Sequence, residues 1–109
     1  MTIGPYTSLT SQARLVESGA VTSVELVQAA LDRIALLNPR LNAFNRVLAD
    51  EALAEAAERD AGPRLGPLHG LPIAVKEEND IAGLPTLLGG AAVDRAATAD
   101  AEVVLRLRA

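Results

Sequence analysis

Residues 66–90, GPLHGLPIAVKEENDIAGLPTLLGG, constrain this chain more than any other stretch. A short apolar run, Leu71-Pro72-Ile73-Ala74-Val75, stops at Lys76 and is followed at once by Glu77, Glu78, Asn79 and Asp80. Gly66, Pro67 and Gly70 precede the run, and Gly83, Pro85, Gly89 and Gly90 follow it. Unbroken apolarity between chain breakers predicts a strand buried on both faces, as in an α/β fold. Such a strand would deliver a single amine into a glycine-lined loop, the place where α/β folds gather their ligands. Lys76 is the sole lysine; the other nine of the ten basic residues are arginines. Arginine stays protonated, whereas a buried lysine can lose its proton and serve as a base or nucleophile.

The plainer reading of Lys76 is a strand-end cation paired with Glu77 or Glu78, or simply solvated. A lone lysine also permits Schiff-base chemistry. Glu77, Glu78 and Asp80 read as a solvated acidic loop rather than a hard-cation site. His69 is the only histidine and there is no cysteine, so a nitrogen or sulfur metal set cannot be assembled, and a turn or packing role is expected. No G-x-x-x-x-G-K-[ST] occurs, which removes the phosphate-loop reading of the glycines.

At 109 residues the chain can bury one modest core. A net charge of −4 argues against nucleic acid or an anionic membrane surface as partner. Residues 1–19 show no basic start followed by an apolar core, and the uncharged run 81–93 is too short and broken to span a bilayer, so a cytoplasmic location is expected. A first helix is expected over Ser8–Ser18, ending at Gly19. Thr22-Ser23-Val24-Glu25 is a capping box opening a second, with Val24, Val27, Leu31 and Ile34 as its stripe and Asn38-Pro39 closing it. The short connection predicts an antiparallel helical hairpin over about 8–38. Leu41–Leu48 is read as a short strand. A further helix over about 50–61 starts on an Asp50 cap, its charges forming a solvated face. After the strand and lysine loop of 66–90, a last helix over about 99–109 is capped from Thr98 or Asp100, with Val103, Val104 and Leu107 as its apolar face.

The stretch GPLHGLPIAVK, followed by acidic residues, AG and PT, resembles the opening of the amidase signature family. Similarity is dense from Gly66 to Thr86 and weaker through TSVELVQAALDRI and NPRLNAF. The resemblance implies the N-terminal part of a single amidase-signature domain over 1–109, helices packed on a mixed β-sheet, incomplete in this chain. It implies that Lys76 is the base of a Ser–cis-Ser–Lys triad, whose two serines come from a downstream Gly/Ser-rich segment absent from these 109 residues. The complete domain would hydrolyse a small-molecule carboxamide to carboxylate and ammonia or amine, without metal or cofactor, and the chain by itself would be inactive. The same motif is found in the glutaminase subunit of tRNA-dependent amidotransferases, and a truncated, non-catalytic remnant is a third possibility. Departures occur at Glu77 and Glu78, where aspartate then asparagine is commoner, at Leu87 in place of threonine, and at Gly90 in place of serine or threonine.

Overall fold

The computed structural model describes residues 3–90 and 95–109. Residues 91–93 of the uncharged run lie outside them. Four helices are present among the described residues: α1 (Leu9–Glu17), α2 (Ser23–Leu41), α3 (Ala49–Ala61) and α4 (Glu102–Arg108). The chain divides into two compact units, Met1–Pro72 and Ile73–Ala109.

In the first unit the helix ends follow local chemistry. Ser8 caps α1 by accepting the Ser11 N–H at 3.1 Å, and Gly19, at φ +75°, turns the chain away. The capping box of α2 is reciprocal: Thr22 Oγ1 accepts the Glu25 N–H at 3.1 Å, and Glu25 Oε2 accepts the Thr22 N–H at 2.8 Å. The helix does not close at Asn38-Pro39 but runs on to Leu41. Pro39 has no N–H to give the Ala35 carbonyl, and the helix continues for only two residues beyond it. Asn42, in the left-handed region at φ 49°, then ends it.

Leu41–Leu48 forms no strand. The Asn38 side chain takes both main-chain groups of Phe44, donating to its carbonyl and accepting its N–H, each at 2.9 Å. With those groups engaged, no ladder can form there. Nor does Asp50 cap α3. The preceding position is Leu48, which makes no side-chain cap, and Asp50 and Glu51 sit in the first turn, where the helix dipole favours negative charge.

The most extensive helix pairing is α2 lying along α3, while Leu15 of α1 packs with Leu26 of α2 in the core. Asp60, in the last turn of α3, fixes this antiparallel arrangement. Its two carboxylate oxygens accept the Ser23 N–H at 2.7 Å and the Val24 N–H at 3.0 Å. One member of the supposed solvated face is therefore a second cap for α2. The core below it is made by Leu15, Val21 and Leu26, with Ile3, Val16 and Leu71 packed against it. Leu26 replaces Val24 in the apolar stripe, because Val24 faces outward.

Ser23, 2% exposed, donates its hydroxyl to the Gly70 carbonyl at 2.7 Å and so ties the start of α2 to the segment before Leu71. Gly70 has φ +78°, and a Cβ there would sit 3.1 Å from the Ser23 Cβ. Gly70→Ala is expected to cost about 1–2 kcal/mol through left-handed strain and crowding. A chemical-denaturation midpoint equal to that of the parent would contradict this.

The run Leu71–Val75 is not a strand, and among the described residues there is no sheet. Only two isolated bridges occur, Ala82 with Ala97 and Pro85 with Ala96, both in the second unit. Ile73 is 48% exposed, and Ile73, Ala74 and Val75 have no main-chain hydrogen bond to any described residue. A strand exists only through a neighbour's ladder, and none of the described residues supplies one. The last helix also starts later than expected, at Glu102, with Ala101 before it and no side-chain cap. Of its expected apolar face only Val104 is buried; Val103 and Leu107 are exposed.

Candidate active site

Lys76 lies early in the second unit, where the extended segment enters a turn. The Lys76 carbonyl accepts the Asn79 N–H at 3.0 Å, with the Asn79 amide side chain at 3.4 Å. This turn fixes the main chain but not the amine. The lysine side chain is 75% exposed, and its Nζ lies 3.5 Å from Glu78 Oε1. An exposed pair of this kind contributes about 0–1 kcal/mol and holds neither partner firmly. Glu78 thus answers the plain ion-pair expectation for Lys76. The acidic residues do not gather into a cation site: Asp80 accepts the hydroxyl proton of Thr86 instead. No group of three histidine, aspartate or glutamate side chains that could hold a metal occurs among the described residues.

The loop after the turn is irregular but well tied. Gly83, at φ +86°, donates its N–H to the Ala97 carbonyl at 2.9 Å, and Ala97 donates to the Leu84 carbonyl at 2.9 Å. The glycine is required at that point because a side chain at this φ would be strained.

His69 belongs to the first unit and holds the 62–70 loop against the end of α3. Its Nδ1 accepts the Leu65 N–H at 3.3 Å and its Nε2 lies 2.9 Å from the Arg59 carbonyl. A ring that accepts at Nδ1 and faces a carbonyl at Nε2 is the neutral Nε2–H tautomer. Both nitrogens serve the loop, which is a structural role. The four serine side chains are likewise committed within the first unit. Ser8 bonds to Ser11, Ser18 donates to the Leu15 carbonyl, and Ser23 to the Gly70 carbonyl. Lys76 thus presents an exposed amine on a fixed turn.

A family model described as Amidase matches residues 25–109, which include Lys76 and the whole loop behind it. The chain belongs to the amidase family. Among its amidase relatives, a Mycobacterium tuberculosis protein assigned as an amidase, AmiB2, is 46% identical over 108 residues, covering 95% of this chain and 23% of the relative. The indoleacetamide hydrolase of Bradyrhizobium diazoefficiens is 45% identical over 106 residues, covering 93% of this chain and 20% of that enzyme. The acylamidase of Rhodococcus erythropolis is 36% identical over 108 residues, covering 94% and 23%. The chain thus spans between a fifth and a quarter of the length of these amidases. No helix among the described residues is long and apolar enough to cross a membrane.

Proposed function

We propose that this chain is the lysine-bearing part of an amidase domain that hydrolyses a small-molecule carboxamide, with Lys76 as the base. The observation that carries the reading is the amidase match over residues 25–109, which contains a single lysine, at the end of the apolar run. In this scheme two serines come from sequence outside the 109 residues. The Lys76 amine takes a proton, through a bridging serine, from the nucleophilic serine. That oxygen attacks the amide carbon, and main-chain N–H groups stabilise the oxyanion. Collapse breaks the C–N bond, the leaving nitrogen takes a proton, and water then hydrolyses the acyl-enzyme.

Ile73–Val75 make no main-chain hydrogen bond to any described residue, which supports a mixed sheet in the full domain, where those groups would meet neighbouring strands. Net negative charge supports a small amide over a nucleic acid as partner.

The test is a chimaera in which this chain replaces the matching fifth of the Bradyrhizobium indoleacetamide hydrolase. Retained hydrolysis of indoleacetamide, within about tenfold of the parent kcat/KM, is expected, since a part 45% identical to the one it replaces should lose less than one mechanistic group is worth. A folded chimaera with no turnover of that or simpler amides contradicts the proposal.

A further inference from the structure

We infer that Asp80 and Asp100 form a reciprocal clasp that positions the turn carrying Lys76. The two aspartates are 20 residues apart, and each reaches across to the other's segment. The Asp80 carbonyl accepts the Ala101 N–H at 2.9 Å. The Asp100 carboxylate accepts the Ala82 N–H at 2.8 Å. The Asp80 carboxylate takes the Thr86 hydroxyl, which closes the loop on itself. Asp100 is the better enclosed of the two, its side chain 16% exposed, and its second oxygen lies 3.5 Å from Arg108 Nε.

The simpler account of Asp100 is a helix cap, and the geometry argues against it. The residue before α4 is Ala101, and no side chain caps the helix. The carboxylate is turned instead toward the loop that follows the lysine. A charged acceptor on a main-chain N–H in a partly enclosed site is among the stronger hydrogen bonds available. Asp80 directly follows Asn79, whose N–H is held by the Lys76 carbonyl. Restraining Asp80 and Ala82 therefore restrains the far end of the turn that presents the amine. A base works only if its nitrogen is held in a narrow range of positions, and the exposed pair with Glu78 does not provide that. Asp80 and Asp100 act through the turn and touch no reacting atom; they are positioning residues. This role rests on Lys76 being the base, although the clasp itself can be tested without catalysis.

Hydrogen exchange in the 109-residue chain reads the clasp directly. Asp100→Ala is expected to speed exchange about tenfold at the Ala82 amide, and also at the Asn79 amide, which Asp100 does not touch. Asp100→Asn keeps an oxygen acceptor and should stay within about twofold of the parent. Thr86→Val, which removes a hydroxyl at nearly constant volume, should speed Asn79 exchange in the same direction and serves if Asp100→Ala unfolds the unit. In the chimaera, Asp100→Ala should lower kcat about tenfold with KM unchanged, and the asparagine variant should restore it. Parental Asn79 exchange in both Asp100→Ala and Thr86→Val would overturn the inference, as would an asparagine variant no better than alanine. Lys76→Arg in the same chimaera separates the two ideas. Activity in that variant removes the base, whereas altered Asn79 exchange upholds the clasp in either case.

Discussion

Asp60→Ala is expected to destabilise the first unit by about 2–3 kcal/mol, more than any other exposed substitution in it. One carboxylate accepts the N–H groups of Ser23 and Val24, the first two donors of α2. The capping box already takes the third, Glu25. Removing Asp60 leaves two donors without an intramolecular partner and also removes a negative charge from the positive end of the helix dipole. Water can reach the site, which limits the loss to about 1 kcal/mol per bond, with about 0.5 kcal/mol more from the dipole. The same carboxylate joins the end of α3 to the start of α2, so α2 should also lose its register against α3. Asp60→Asn keeps one acceptor and should cost about half as much. Urea unfolding followed by helical circular dichroism reads both variants. An alanine variant within about 0.5 kcal/mol of the parent, the range of a neutral surface change, would show that water replaces the cap fully.

The contrast between Asp60 and the Thr22–Glu25 box explains how much of the fold the amino-acid sequence reveals. The box lies within four consecutive residues, and Gly19 ends α1 by its own backbone freedom, so both are legible from local pattern. Asp60 caps a helix 36 and 37 residues earlier in the chain. In sequence it is one more charge on a charged helix. Asn38 beside Pro39 looks like a terminator, but its amide is engaged with Phe44. The same limit applies to Leu71–Val75. Apolarity marks a segment that is to be covered, yet it does not say by what. Leu71 finds the core of the first unit, while Ile73 remains half-exposed. The candidate site divides in the same way. Lys76 stands out because it is the sole lysine at the end of an apolar run. Asp100 was legible only as a possible cap, since nothing local reveals that its carboxylate serves Ala82.

The central claim, that Lys76 is a proton acceptor rather than a surface cation, predicts the other large effect. In the indoleacetamide hydrolase chimaera, Lys76→Ala should lower kcat/KM by about 10²–10⁴-fold, the usual contribution of a positioned base. Folding should be nearly unaffected, because the side chain is 75% exposed and fills no core volume. Lys76→Arg decides between the two readings. Arginine keeps the charge and can still meet Glu78, but it cannot give up its proton near neutral pH. A lysine that only pairs with Glu78 should be replaced by arginine almost without loss, and alanine should then cost no more than the roughly 0–1 kcal/mol of a surface pair. The direct measurement is the kcat of the arginine chimaera on indoleacetamide at neutral pH, beside parent and alanine forms of matched stability. The account predicts an arginine form about as inactive as alanine. An arginine form turning over within about twofold of the parent would contradict it, since no base is then needed at residue 76.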